Sequence, residues 1–246
     1  MILKNVCFYN EVFEKEVADL ELENGRIKAI GIIDGEGRDM SGMTALPGFV
    51  DIHIHGAAGG DCSDAKTESL DQVSSYLAKH GITSFCATSM TLGHETLMKI
   101  AKTVRGYKGK ERGAKIAGIN LEGPFIAMSK KGAQNPAYVR AGSVAEFEEI
   151  NAASGGIVKL ITIAPEAFDS DAFITAVSKT CAVSIGHSAA NAAQAQHAFD
   201  LGARHATHLY NAMTPMTHRE AGIAGTALDN ENVFCEIICD GGHVCP

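Results

Sequence analysis

No apolar stretch in the 246 residues approaches the roughly 18 that a membrane-spanning helix needs, so no membrane span is expected. The N-terminus, Met1-Ile2-Leu3-Lys4-Asn5, lacks the basic-then-apolar pattern of a secretory leader, which points to a cytoplasmic protein. Positive charge is short: 21 Lys and Arg stand against 29 Asp and Glu, leaving a net charge of −8. That balance argues against nucleic acid and anionic membranes as partners. An anionic substrate would need a local basic group, because the overall field repels it. C-x-x-C pairs are absent as well. The seven cysteines (7, 62, 86, 181, 235, 239 and 245) include several inside apolar runs, such as Phe85-Cys86-Ala87, and are expected to be reduced and mostly buried. No G-x-G-x-x-G follows the first strong strand signal, which weakens a dinucleotide-binding reading.

With 46% hydrophobic residues, the chain can build a substantial core. Residues 1–45 read as a small β-layer. Val17 to Leu22 alternates, Glu23-Asn24-Gly25-Arg26 has Asn-Gly at its centre as a tight hairpin does, and Arg26 to Ile30 alternates again. From residue 46 the texture changes. Short apolar runs at 48–55, 82–88, 115–121, 157–163, 182–186, 204–208 and 233–239 alternate with helical patterns near 67–80, 93–105, 143–153, 168–179 and 189–201. Ser188 is a candidate cap for the last helix. A period of about 30 residues with almost continuous apolar strands indicates a parallel sheet. Seven strands in one series favour a (β/α)₈ TIM-type barrel over a doubly wound sheet. The sequence reaches Pro246 just past the seventh run, so the barrel is expected to be incomplete, without an eighth strand.

Barrel chemistry collects where strands end. The first run ends in His53-Ile54-His55-Gly56. Alternation puts the two imidazoles on one face, which is half of a metal site. Alone, H-x-H reads more readily as a solvated pair on an edge strand. The other strand ends carry Glu122-Gly123-Pro124, Gly186-His187-Ser188, Thr207-His208-Leu209 and Asp240-Gly241-Gly242-His243. Singly, Glu122 reads as a helix-entry acid and His208 as a satisfied core residue. Five ligand-type residues at four strand ends on one rim form an N/O donor set suited to Zn²⁺, Fe²⁺ or a similar divalent ion. Gly56, Gly123 and Gly186 beside them allow close backbone approach. His80, His94 and His197 lie in helical stretches and are expected at the surface. His205, three residues before His208, is expected on the opposite face of its strand.

The run Pro47-Gly48-Phe49-Val50-Asp51-Ile52-His53-Ile54-His55-Gly56 resembles the opening strand of the amidohydrolase superfamily. Glu122-Gly123-Pro124-Phe125, the segment Lys130 to Pro136, Gly186-His187-Ser188, Thr207-His208-Leu209-Tyr210-Asn211-Ala212-Met213 and Asp240-Gly241-Gly242-His243-Val244 follow in order. Together they resemble the N-acetylglucosamine-6-phosphate deacetylase family, from about Asn5 to the end. The resemblance implies a deacetylase using one or two divalent ions, with an amino-sugar phosphate as its small-molecule partner. It implies Glu122, His187 and His208 as primary metal ligands and His53 and His55 as ligands of a second ion found in some members. It implies Asn211 and the Ala212 backbone as groups holding the sugar, and His243 as a further substrate contact. Arg219 resembles the arginine that binds phosphate across a dimer interface. Gln134 stands where some members carry a histidine beside the substrate carbonyl. Many amidohydrolases carry a carboxylated lysine at the end of the fourth strand; here that end reads Thr162-Ile163-Ala164-Pro165, which counts against hydantoinase-like and dihydroorotase-like readings. Family members take an aspartate from the eighth strand as general base and acid, and no residue here matches it. A metal-binding partial barrel without turnover, or another amidohydrolase such as a deaminase, are the alternatives.

Overall fold

The computed structural model describes residues 1–245. The chain divides into two compact units, Met1–Gly48 and the remainder from Phe49 onward.

The first unit is a four-stranded sheet in the order β3-β2-β1-β4: β1 (Ile2–Tyr9), β2 (Lys15–Glu23), β3 (Arg26–Gly31) and β4 (Arg38–Asp39). The β2–β3 hairpin turns on Asn24 and Gly25, with φ of 52° and 74°. Positive φ at both central residues gives the turn whose twist suits the strands, and Asn-Gly tolerates it best. Val6, Cys7 and Leu20 are buried in this unit.

The second unit carries the series expected from the sequence. It opens with β5 (Phe49–Ile54) and a two-residue ribbon, β6 (Gly56–Ala57) with β7 (Gly60–Asp61). Then come α1 (Thr67–Lys79), β8 (Ile82–Ser89), α2 (His94–Tyr107), β9 (Lys115–Glu122), α3 (Val144–Ser154) and β10 (Val158–Ile163). The chain continues through α4 (Asp171–Val177), β11 (Ala182–Ile185), α5 (Ala192–Asp200), β12 (His205–Ala206), α6 (Gly222–Leu228) and β13 (Phe234–Cys235). Seven of these strands pair in the order β13-β12-β11-β10-β9-β8-β5, every pair parallel. Consecutive strands lie side by side, as in a barrel. The sheet curls far enough that His53 on β5 meets Glu236, one residue past β13, at 2.8 Å, although these are its two edges. The fold is an incomplete (β/α) barrel, seven-stranded among the described residues.

The strands are buried on both faces, which is why they read as continuous apolar runs: Ile119, Leu121, Ile161, Ile163, Val183 and Ile185 are all within 1% of complete burial. The helices close the outer face with Leu70, Val73, Leu97, Ile100, Phe147 and Ile150. Two local expectations are corrected. Helix α5 starts at Ala192 and is capped by a reciprocal Asn191–Gln194 box, because the Ser188 hydroxyl donates instead to Glu166 Oε2 at 2.6 Å. Strands β12 and β13 are two residues each, shorter than the apolar runs 204–208 and 233–239; the ladder stops at Ala206 and Cys235, and His208 follows with φ of 33°. Four cysteines (7, 62, 86 and 181) are buried and all seven are free.

Candidate metal centre

The strand register places the site. Glu122 pairs with Thr162, Thr162 with Ser184, Ser184 with His205 and His205 with Phe234, so β9 to β13 present one level of the sheet at their ends. Glu122 closes β9 at 3% exposure. Gly123 follows with φ of 82°, and a Cβ there would lie 2.1 Å from Thr91 Oγ1. That hydroxyl donates to Glu122 O at 3.0 Å, so glycine is needed both for conformation and for space. Gly186 precedes His187 in similarly tight quarters, with Thr207 Cβ 2.6 Å from where its own Cβ would be.

Five of the residues expected from the sequence meet here. His187 and His208 place Nε2 at 3.2 and 3.1 Å from Glu122 Oε1. His53 Nε2 lies 3.3 Å from the same oxygen, and His55 Nε2 lies 3.1 Å from Oε2. Two overlapping donor groups result, Glu122-His187-His208 and His53-His55-Glu122, each with its ligand atoms within 4.8 Å of one another. His187 and His208 adopt φ of 48° and 33°, uncommon for side chains of this kind and typical of residues held in place by a site.

The donor chemistry fits a cation. His187 Nδ1 donates to Lys130 O at 2.8 Å, and His208 Nδ1 donates to Asn211 O at 3.1 Å. A carbonyl only accepts, so each neutral ring keeps its hydrogen on Nδ1 and turns the Nε2 lone pair inward. Those two Nε2 atoms are 3.1 Å apart and share Glu122 Oε1. Three lone-pair atoms packed so closely repel one another unless positive charge lies among them. Burial works to raise the Glu122 carboxyl, but His187, His208, His53 and His55 outweigh it and hold it far below the usual carboxylate range. Burial also opposes charge on His53, yet its hydrogen bonds to Glu122 and Glu236 push the ring up to about 10.

The centre lines an open cavity of about 1010 Å³, which also takes in Gln134, Asn211, Ala212, His205, Glu236 and His243. Gln134 is buried; its Nε2 donates to Glu122 Oε2 and its Oε1 accepts from Thr91 N–H at 2.7 Å. Ala212, with φ of 49°, gives its carbonyl to Ser188 N–H at 3.1 Å. His243 is half exposed and donates from Nδ1 to Asp240 Oδ2 at 2.7 Å. Arg219 lies apart, in an exposed turn where Thr217 N–H donates to Glu220 O at 2.7 Å, outside the cavity lining. His205 departs from expectation. It is 7% exposed and faces the same cavity as His208, because the strand stops at Ala206 and alternation no longer applies. Sequence reasoning also passed over Glu236. Its signal was there: a lone acid inside Phe234-Cys235-Glu236-Ile237-Ile238, where a buried charge demands a partner.

The double variant His53→Ala/His55→Ala is expected to lose one metal equivalent and keep the other, read by elemental analysis of metal-saturated protein. Loss of all metal would refute a division of the centre into two halves.

A family model described as the amidohydrolase family matches residues 44–238. The N-acetylglucosamine-6-phosphate deacetylase of Bacillus subtilis (strain 168) is 40% identical over 206 residues, 82% of this chain and 52% of that protein. The enzyme of the same name from Lysinibacillus sphaericus is 35% identical, covering 99% of this chain and 65% of that protein. The chain thus spans between about half and two-thirds of the length of these relatives. A variant of N-acetyl-D-glucosamine-6-phosphate deacetylase from Mycobacterium smegmatis, solved in complex with N-acetyl-D-glucosamine-6-phosphate, superposes with a TM-score of 0.89 at 32% identity, covering 100% of this chain and 65% of that one.

Proposed function

The chain belongs to the amidohydrolase family, and on that premise we propose that it hydrolyses the N-acetyl group of N-acetylglucosamine 6-phosphate. Water cleaves the amide bond, and the products are acetate and glucosamine 6-phosphate. One observation carries the reading: four histidine Nε2 atoms converge on a single buried carboxylate inside a cavity of a size that admits a sugar phosphate. The substrates named for the relatives support the choice of sugar.

In this reading Glu122, His187 and His208 hold a first divalent ion, zinc or iron, and His53 and His55 hold a second with Glu122. A bound ion of this kind polarises the amide carbonyl and lowers the pKa of water towards about 7. Gln134 stands beside the acetyl carbonyl, its amide held from one side by Thr91 N–H and committed on the other to Glu122. Asn211 and the Ala212 backbone hold the sugar, and His243 closes on it from the Asp240 turn. Arg219 presents a planar fork to the phosphate of a second copy of the chain, which makes the working assembly a dimer. That arginine answers the unfavourable net charge of −8. The seven free cysteines support a reducing compartment, the cytoplasm.

The test is acetate release by metal-reconstituted protein, with the Bacillus subtilis enzyme run alongside. Turnover of the phosphorylated sugar well above that of the unphosphorylated one supports the reading. Metal-loaded protein without turnover beside an active control overturns it and leaves a metal-binding partial barrel. Arg219→Ala is expected to raise KM for the phosphorylated sugar about 10–100-fold, the loss of one charge-assisted contact of about 1.5–3 kcal/mol. Steady-state kinetics check this, and an unchanged KM would remove Arg219 from the phosphate site.

A further inference from the structure

Glu236 has no part in the roles set out above, yet it touches both halves of the centre. It sits one residue past β13, with its backbone pinned on both sides: its N–H donates to Ala206 O at 3.0 Å and its carbonyl accepts from Leu209 N–H at 2.8 Å. Its side chain is 9% exposed. Oε2 accepts from His53 Nδ1 at 2.8 Å and from His208 N–H at 3.3 Å. Oε1 is buried without a hydrogen-bond partner among the described residues and lies 3.3 Å from His205 Nδ1.

We propose that Glu236 is the positioning residue of the His53–His55 half of the centre, the group that makes this half able to hold a cation. The proposal rests on the two-ion reading above. Three imidazoles in the site are oriented through Nδ1. Main-chain carbonyls do this for His187 and His208, whereas His53 depends on a side chain from the opposite edge of the sheet. A carboxylate accepts, so His53 keeps its hydrogen on Nδ1 and offers the Nε2 lone pair to the cavity, towards His55 and Glu122. Among the described residues His55 Nδ1 has no hydrogen-bond partner, so this half has no other anchor of that kind there. Glu236 also adds a second buried negative charge beside Glu122. A buried carboxylate with one unbonded oxygen is costly unless positive charge faces it. A divalent ion on His53 supplies that charge without needing a proton on the ring.

The experiment is a Co²⁺ titration of metal-free protein, followed by visible absorbance and checked by elemental analysis, with no substrate present. The parent protein should take two equivalents. Glu236→Ala should keep the first equivalent at parental affinity and bind the second about 10–100-fold more weakly, the usual cost of removing the partner that orients a metal-bound histidine. Glu236→Gln keeps an acceptor oxygen but no charge, and should fall between the two. If Glu236→Ala does not fold, the nearly isosteric Gln variant decides: a weakened second equivalent upholds the proposal and an unchanged one overturns it. The proposal is also overturned if both equivalents weaken alike in a folded variant, if neither weakens, or if the parent binds one ion. Because only metal is read, a chain that holds two ions but fails to release acetate would sink the deacetylase reading and leave this one standing.

Discussion

Glu122→Gln protein, purified and exposed to excess zinc, is expected to carry metal only at background level and, on the proposed function, to release acetate no faster than metal-free protein. The substitution keeps the shape of the side chain and removes its charge. Four Nε2 atoms within 3.3 Å of this carboxylate are then left facing one another around a neutral amide. A neutral carboxamide oxygen binds zinc or iron more weakly than a carboxylate does, and its NH₂ group turns a donor towards positive charge. Both candidate groups contain Glu122, so both lose it together. The loss of affinity should exceed the roughly 100-fold that follows from losing an outer partner of a ligand. Elemental analysis on protein with an unchanged circular dichroism spectrum is the check. Near-stoichiometric metal in the variant would remove Glu122 from the centre of the site.

Phe125→Ala acts on stability rather than on metal. Phe125 lies three residues after Glu122, is completely buried, and packs edge-on against Phe173 and Phe168 at ring distances of 5.4 and 6.3 Å. The Arg140 guanidinium covers its ring at 5.9 Å, and its carbonyl accepts from Ala164 N–H at 2.9 Å. Truncation leaves a void between rings carried on different elements, which cannot all move in to fill it. The cost is about 3–5 kcal/mol. For a chain of this size that corresponds to a fall in melting temperature of roughly 10 °C. Metal content at 25 °C should be unchanged. A melting temperature within a degree or two of the parent would show that the aromatic cluster does not hold the loop after β9.

The strand series and the five converging residues were legible because each rests on a short-range signal. Apolar runs bounded by turns mark the strands, and Glu122, His187 and His208 each stand at the point where such a run gives way to glycine or a loop. Where the structure departs from the sequence pattern, the cause is a contact or torsion that no short-range signal carries. Strand alternation extended through His208 puts His205 on the opposite face, but the ladder stops at Ala206 and backbone torsion resets the facing of everything after it. Ser188 has the residue type of a cap for helix α5, while in the structure its hydroxyl donates to Glu166, 22 residues away in sequence. Glu236 meets His53 across 183 residues and across the two edges of the sheet. No local pattern encodes that contact; it exists only once the sheet has curled. Arg219 remains a residue whose proposed role needs a second chain, which neither its spacing nor its exposed turn specifies.

The way the imidazoles are oriented has an evolutionary consequence. Main-chain carbonyls at Lys130 and Asn211 survive any substitution of those residues, so the tautomers of His187 and His208 are insulated from drift at the positions that set them. His53 has no such insurance, since its orienting oxygen belongs to one codon. Neutral change can therefore erode the two halves of the centre at different speeds. If the centre holds two ions as proposed, a lineage that lost Glu236 would weaken the second while leaving Glu122, His187 and His208 intact, and would regain it by a single reversion.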